Sequence, residues 1–234
     1  MIRRFEIYSL RPGAPPGRVR ALETACGRCG RFIPEVLHGA VGWNVSDAPV
    51  DLVWEHAFAS PDAYRRYMVH PYHAAVLDRY LLHDSPERVV VDNDLGAGLV
   101  GYDCEGPVFA MTGGVRRLVL LRLNRHASPS VVDRLVSVLA NAPGEADQMV
   151  LSAVGANTLG SAWFDAVTPI AGRPRWTHLW EQGFASRDDL DAYIDGPSPV
   201  AAAERRQWRG VMEDIVERTT SVHYEIDGPR PAPG

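Results

Sequence analysis

Apolar and polar residues alternate in short runs, and longer stretches with helical spacing separate these runs along the first half of the chain. Phe5 and Ile7 lie in an alternating run typical of a strand, and the helical stretch that follows begins at a proline. The elements predicted after this strand are a helix over 16–28, strands over 40–45 and 52–58, a helical region over 61–83 and a closing strand over 88–92. The order is βαββαβ, the split-βαβ or ferredoxin-like arrangement.

A second copy of this unit follows in the same chain, at displacements of 113 and then 126 residues. The equivalent positions are Arg4 with Arg117, 40–44 with 153–157, 54–55 with 180–181, and Tyr67 with Tyr193. The chain is therefore a tandem duplication. The second copy carries an insertion of 13 residues, the difference between the displacements, within 158–175.

The second copy repeats the element order of the first. Its predicted strands and helices are 118–123, 129–140, 150–157, 177–184, 187–218 and 221–226. The predicted domains are a first unit over 1–93, a Gly-rich linker over 94–114, a second unit over 115–228 and a disordered tail over 229–234. In each unit helices cover one face of the sheet, and the two copies can cover the other face for each other. The inserted loop, with Trp163 and Phe164, is either a lid or a loop packed between the copies.

The composition excludes several chemistries, because all 24 residues counted as Lys or Arg are arginines. Without lysine the chain has no Schiff base, no pyridoxal phosphate anchor and no P-loop lysine. Serine-hydrolase, zinc-protease and dinucleotide motifs are also missing from the sequence. We therefore expect no cofactor and no metal, with an iron or haem site on a single histidine as the alternative. Any anionic group of a substrate would then bind to arginine.

Charge and hydropathy limit the expected partners and location. The net charge is -5 and there is no basic cluster, so we expect no nucleic-acid partner. The first residues contain no apolar stretch long enough for a signal peptide or a membrane span, so we expect a cytoplasmic protein without a membrane partner. Cys26, Cys29 and Cys104 are too few and too unevenly spaced for a disulfide framework, and we assign them no role.

The stretch 58–73 closely resembles a signature of the stress-responsive A/B barrel family, also called Dabb domains. Its most specific part is Tyr-x-x-His-Pro-x-His, and it is preceded by Ile33-Pro34-Glu35-Val36 and by a strand that carries Gly42 and Asn44. Members of that family are dimeric α+β barrels. The resemblance implies an α+β fold in which two ferredoxin-like units form an intramolecular pseudo-twofold barrel, with a further homodimer as an open alternative.

The resemblance also implies a chemistry. The best understood members are cofactor-free polyketide cyclases of the olivetolic acid type, in which the tyrosine and the last histidine of the signature form an acid/base pair. The matching residues are Tyr67 and His73.

The two copies depart from the family pattern in complementary ways. Arg4 and Arg117 replace a histidine often found on the first strand. A third-strand histidine is Leu52 in the first copy but is retained as His178 in the second, which lacks both histidines of the signature. This divergence indicates either one working site in the first copy or two different pockets. The candidate substrate-binding residues are His70, His178, Arg4, Arg117 and Trp54.

The local sequence gives Tyr67 and His73 a chemical meaning apart from any family. Pro71 ends one helix and begins the next, which puts His73 in the first turn of the new helix. The helix dipole and partial burial favour the neutral imidazole that a general base requires. Tyr67 can donate its hydroxyl proton to a developing oxyanion. The structural alternatives are that Tyr67 packs a helix end and that His70 caps the backbone.

Other titratable residues have less specific interpretations. Alternation places Glu55 and Glu181 on the sheet face opposite to Trp54 and Trp180. These carboxylates form either a symmetric salt bridge with arginine between the copies or part of a catalytic site. Surface or edge positions without a role are expected for the remaining histidines, which are His38, His56, His83, His126 and His223.

The sequence thus favours a cofactor-independent cyclase or lyase of bacterial secondary metabolism. The expected substrate is a polyketide-like or other carbonyl compound, and the expected step is of the aldol or Claisen type. The alternatives are a cofactor-free monooxygenase and a barrel that binds a small molecule or serves in stress without catalysis.

Overall fold

A computed structural model describes residues 1–91, 93, 95, 100–103, 113–141, 147–158, 176–195, 212 and 214–226. The segment 159–175, which holds nearly all of the predicted insertion with Trp163 and Phe164, lies outside the described residues. So do Cys104 and the predicted tail over 229–234.

Each half of the chain forms one sheet with helices on one face. The elements of the first unit are β1 (Ile2–Leu10), α1 (Pro16–Phe32), β2 (Val36–Asn44), β3 (Leu52–Phe58), α2 (Pro61–Met68), a π-helical turn (His73–Leu77), α3 (Asp78–Leu81), β4 (Val90–Val91) and β5 (Val100–Asp103). The elements of the second unit are β6 (Gly114–Leu123), α4 (Pro129–Ala140), β7 (Met149–Ala156), β8 (His178–Phe184), α5 (Arg187–Asp195) and β9 (Val216–Ile226).

The two sheets join into one antiparallel barrel. The strand order is β4-β1-β3-β2-β9-β6-β8-β7, and β5 pairs with β1 on the same edge as β4. At one seam the Val45 amide donates to the His223 carbonyl over 2.8 Å, and at the other the Thr158 amide donates to the Gly101 carbonyl over 2.7 Å. A bridge between Tyr102 and Asn157 completes the second seam. The fold is therefore the expected pseudo-twofold α+β barrel within one polypeptide.

The repeated Ala-Val-Gly-x-Asn segment has a structural purpose at both seams. Asn44 ends β2, and its side-chain amide donates to the carbonyl oxygens of Ser46, Ala48 and Val50 in the hairpin loop. Asn157 follows β7, and its amide donates to the Trp176 carbonyl over 2.9 Å. Each asparagine satisfies the backbone of a loop where one unit meets the other, so the repeat is explained by the barrel.

Packing divides into three apolar clusters. One lies between the sheet and helices of the first unit, one between the sheet and helices of the second, and the third fills the barrel interior with residues from both units. Along each strand, successive side chains alternate between the helix-covered face and the barrel interior. On β1, Arg4, Glu6 and Tyr8 point to the helices, whereas Phe5 and Ile7 belong to the interior cluster.

A buried ionic network lies inside the barrel and links the units. Arg3 of β1 binds Glu181 of β8 through Nε–Oε2 and Nη2–Oε1 distances of 3.2 and 2.5 Å. Its pseudo-twofold counterpart Arg116 lies 3.7 Å from Glu55. All four side chains are fully buried. Of the two interpretations of Glu55 and Glu181, the structure thus shows the salt bridge, with Arg3 and Arg116 as the arginine partners.

Two tyrosines and a histidine complete this network. The hydroxyls of Tyr224 and Tyr102 donate to Glu55 and Glu181, each over 2.7 Å. Burial by itself would raise the pKa of Glu55, but Arg3 and the hydrogen bond with His38 outweigh it, and the pKa lies well below its usual range. His38 is half-buried and hydrogen-bonded to this network, which corrects its assignment as a histidine without a role.

Several element boundaries differ from the prediction, and two of the differences lie in segments without a local strand pattern. The segment 94–114 was expected only to link the units, yet residues 100–103 form β5, which pairs with Ile2–Phe5 of β1. Strand β9 begins at Val216, whereas helix was expected to about residue 218. In both places long-range strand pairing overrides a local pattern that is rich in glycine or in polar residues.

Candidate active site

The chain around the signature folds as two helices separated at Pro71. Ser60 caps α2 by accepting a hydrogen bond from the Ala63 amide over 3.2 Å, and Pro61 occupies the first helical turn. The helix ends at Met68, and a new helical segment begins at Pro71, as predicted. The side chain of His70 accepts a hydrogen bond from the Tyr72 amide over 3.1 Å. The observed role of His70 is thus a helix cap, and substrate binding by His70 stays a prediction.

A π-helical turn over His73–Leu77 turns His73 toward the sheet. The rings of His73 and Tyr67 meet edge to face with their centroids 4.6 Å apart. His73 is 4% exposed and Tyr67 is fully buried. Because π-helical turns are frequent at functional sites, this geometry fits a role in chemistry beyond packing.

Polar atoms of this pair have no partner among the described residues. The Tyr67 hydroxyl is buried and makes no hydrogen bond with them. His73 Nδ1 makes none either, although a carboxylate oxygen of Asp78 lies 3.5 Å away. Burial raises the pKa of Tyr67 well above its usual value, although Arg4 works in the opposite direction, so the phenol stays protonated and able to donate. A buried hydroxyl without a partner costs about 1–3 kcal/mol, which calls for a functional explanation.

Arg4 of β1 belongs to the same layer of side chains, which lies between the sheet and the helices of the first unit. Its guanidinium carbon lies 4.9 Å from the ring centre of Tyr64 and 5.7 Å from that of Tyr67. Nη2 binds the carboxylate of Glu6 at 2.6 Å, and the Tyr8 hydroxyl donates to the same carboxylate. Burial by itself would lower the pKa of Arg4, but Glu6 outweighs it and the pKa is raised. The charge of Arg4 is thus neutralised within the protein.

His56 also belongs to this layer, which corrects its expected surface position. It is fully buried, directly opposite Arg4 in the pairing of β1 with β3. Its ring centroid lies 3.7 Å from that of Trp54 and 5.7 Å from that of Tyr67. Neither ring nitrogen of His56 has a well-formed hydrogen bond within the described part of the chain. Burial, followed by the charges of Arg4 and His73, lowers the pKa of His56 well below its usual value. The missed signal was simple: His56 lies two residues after Trp54 on one strand face.

We expect His56→Gln to reduce the sensitivity of the protein to acid. The native state keeps His56 neutral while the unfolded chain protonates near pH 6.5, so below that pH the unfolded state binds the extra proton and stability falls. Glutamine already occupies the equivalent position as Gln182. Between pH 7.5 and 5.0 the variant should lose about 2 kcal/mol less unfolding free energy than the parent, as measured by urea denaturation.

The matched control for this prediction is His126→Gln, at an exposed histidine. It should show the same pH dependence as the parent. A His56→Gln profile parallel to that of the parent would mean that His56 is protonated in the native state.

The equivalent layer of the second unit is arranged differently. Arg117 Nη1 donates to Gln182 Oε1 over 2.7 Å, and Gln182 Nε2 donates to the Tyr193 hydroxyl over 3.2 Å. The positions of Arg4, His56 and Tyr67 thus hold three groups hydrogen-bonded in series. The Tyr67 hydroxyl and the His56 ring nitrogens have no well-formed hydrogen bond among the described residues, whereas the equivalent side chains Tyr193 and Gln182 are hydrogen-bonded.

The predicted site residues therefore divide between two layers. Tyr67, His73, Arg4 and Trp54 come together in the first unit. Arg117 and His178 lie in the equivalent layer of the second unit. His178 is half-buried, and its Nδ1 lies 3.2 Å from the Thr177 hydroxyl oxygen. Burial lowers the pKa of His178. The structure does not bring Arg117 or His178 to the Tyr67–His73 pair.

Metal ligands and other reactive groups are sparse in the part of the chain described. No group of three or more His, Cys, Asp or Glu side chains is placed there to hold a metal ion. Cys26 and Cys29 are buried, unbridged thiols in the core of the first unit. Burial raises the pKa of Cys29 to about 12, so it is a poor nucleophile.

The fold and this layer define a class: a fused α+β barrel of two ferredoxin-like units with a buried tyrosine–histidine contact in the first. Residues 2–94 match the family model of the stress responsive A/B barrel domain, Dabb. The first unit thus matches the Dabb family model, as its signature indicated, and the second unit has the same fold. No curated protein sequence matches the chain significantly.

Solved structures share this architecture over the whole chain. A candidate monooxygenase from Fusobacterium nucleatum covers 96% of this chain and 91% of its own, at 8% identity and a TM-score of 0.61. One from Lactobacillus acidophilus covers 97% and 94%, at 11% identity and a TM-score of 0.58. An anthrone oxidase-like protein covers 100% and 96%, at 10% identity and a TM-score of 0.61. Identities this low establish the fold alone.

Membrane crossing by a helix finds no support. Among the helices of the described segments, none has both the length and the apolar character that a bilayer span requires.

Proposed function

We propose that the first unit is a cofactor-independent acid/base catalyst that removes a proton from carbon next to a carbonyl group. The observation that carries this proposal is the buried Tyr67 hydroxyl, unpaired among the described residues and in ring contact with His73. The equivalent tyrosine of the second unit, which has no such histidine, is hydrogen-bonded. A hydroxyl kept unpaired only where a base adjoins it is suited to an oxygen supplied by a substrate.

His73 and Tyr67 have different roles in this reaction. His73 accepts the α-proton, and Tyr67 donates a hydrogen bond to the enolate oxygen that forms. The carbanion then attacks a second carbonyl of the same molecule, a carbon–carbon bond forms, and the proton on His73 passes to the new alkoxide. This is an aldol cyclisation, and its reverse is a lyase reaction. Arg4, neutralised by Glu6, orients the Tyr67 ring and does not bind an anion.

The substrate must be largely apolar. Trp54, Phe58 and Tyr64 are fully buried around the pair, and burial of charged groups there without a partner is costly. Because Tyr67 is closed to solvent, entry requires α2 or the π-helical turn to move away from the sheet. A polyketide-like chain with few charges meets these requirements.

A second candidate is a cofactor-free monooxygenase. Two of the structural neighbours are candidate monooxygenases and a third is anthrone oxidase-like, which favours oxidation over binding without catalysis. The same enolate would react with dioxygen, so that a methylene group becomes a carbonyl and the second oxygen atom leaves as water. Tyr67 and His73 would keep their roles, and only the electrophile would differ.

Two assays on the full chain test these candidates. A linear tetraketide thioester should be converted to a ring product faster than in buffer, without oxygen uptake, if the protein is a cyclase. Anthrone should be converted to anthraquinone with uptake of one dioxygen per molecule if it is a monooxygenase. Turnover that persists unchanged when both Tyr67 and His73 are replaced would refute the acid/base site for either reaction.

A further inference from the structure

Arg117 is a half-buried arginine whose charge is not matched by a carboxylate of the described residues. Among those residues its hydrogen bond from Nη1 to Gln182 is the only one it makes, and its Nε is buried without a partner. Within the described segments no carboxylate oxygen lies within 4.0 Å of its guanidinium group. The Nε–Nη2 edge, which binds carboxylates in a bidentate manner, is therefore available.

The unmatched charge of Arg117 is a difference between the two copies. Arg4, the equivalent arginine, pairs with Glu6 two residues further along its strand. The residue equivalent to Glu6 is Val119, so the second unit has lost the neutralising carboxylate. In the pairing of β6 with β9, His223 lies opposite Arg117. In the pairing of β1 with β5, Gly101 lies opposite Arg4.

Arg117 is the half-buried charge of this layer, whereas Arg187 is exposed and pairs with Asp191. Burial, followed by the charges of Arg117 and Arg187, lowers the pKa of His223 to about 4, so its imidazole is neutral. Asp47 and Asp191 act on His223 in the opposite direction, but both are exposed at the rim. The rest of the layer is apolar, with Trp180, Leu135, Leu139 and Phe184 in its cluster.

We propose that the second unit binds the carboxylate of an otherwise apolar small acid at Arg117, as a site separate from the Tyr67–His73 pair. A single guanidinium beside a neutral histidine balances one negative charge, so it suits a monoanionic carboxylate better than a phosphate dianion. The apolar cluster accommodates the body of the acid, and Gln182 fixes the orientation of the arginine. This site is independent of the reaction proposed for the first unit.

Calorimetric titration of the full chain with octanoate, 1-octanol and inorganic phosphate tests the proposal. Octanoate should bind with one-to-one stoichiometry and at least about tenfold more tightly than 1-octanol, because only the carboxylate pairs with Arg117. Phosphate should not displace it. Equal binding of 1-octanol, or displacement by phosphate at similar concentration, would overturn the assignment, and this comparison requires no variant.

Two variants locate the site. Val119→Glu recreates the arrangement of Arg4 with Glu6 and should weaken octanoate binding by about tenfold or more while Arg117 is still present. Arg117→Met should have the same effect. The control is Arg122→Gln on the same strand, whose side chain is 31% exposed and paired with Glu217, and its affinity should equal that of the parent. Octanoate binding that survives Val119→Glu and Arg117→Met in folded protein would overturn the site.

Discussion

Glu55→Gln is expected to lower the free energy of unfolding by about 3–5 kcal/mol, because it breaks a buried ion pair. Glu55 is fully buried, accepts hydrogen bonds from Tyr224 and His38, and lies 3.5 Å from the fully buried Arg3. Removing its charge leaves buried arginines with one carboxylate fewer. The cost arises mainly from that uncompensated charge and not from the lost hydrogen bonds.

The measurement is urea denaturation followed by circular dichroism, with Glu217→Gln as the matched control. Glu217 pairs with Arg122 over 3.1 Å, but its side chain is 54% exposed. An exposed pair contributes about 0–1 kcal/mol, so the control should unfold nearly as the parent does. If Glu55→Gln lost no more stability than Glu217→Gln, the central network would not hold the two units together.

Glu181→Gln should reproduce the effect of Glu55→Gln. Glu181 receives Arg3 from the other unit and the hydroxyl of Tyr102. Because this network crosses between the units, each variant should still unfold in one transition. A loss of stability confined to one unit would show as two transitions.

The second large effect is on turnover, where His73→Asn should lower kcat/KM by about 10²–10⁴ and Tyr67→Phe by about 10²–10³. In the proposed reaction His73 is the base, and Tyr67 is the donor to the oxygen on which charge develops. Since the two act in one proton transfer, the double variant should be about as slow as His73→Asn alone. The assay is the cyclisation or oxidation reaction that the parent protein catalyses.

The duplicate supplies the control for this second prediction. Tyr193→Phe removes the equivalent hydroxyl of the second unit, where no histidine of the signature is present. It should leave kcat/KM unchanged. Additive losses in the Tyr67→Phe, His73→Asn double variant would show that the two residues act separately, and equal losses from Tyr193→Phe would move the reaction to the second unit.

Several local features were predictable from the sequence because they depend on near neighbours. Pro71 interrupts the helix and puts His73 at the start of the next one, since proline lacks an amide proton and restricts the residue before it. Strand alternation correctly separated Glu55 from Trp54. The same alternation places His56 beside Trp54, and applying it there would have identified the histidine that lies opposite Arg4.

The lack of lysine, the duplication and the βαββαβ order were determined by the sequence itself, because composition is a count and because repeats and periodicity are properties of a linear pattern. Only the tertiary structure decided which arginine meets which carboxylate. Arg3 and not Arg4 reaches Glu181, since barrel closure brings β1 and β8 together across the interior. It also showed that residues 100–103 complete the barrel and that, among the described residues, Tyr67 has no partner where Tyr193 has one. These outcomes depend on register between strands far apart in the chain, which no local pattern encodes.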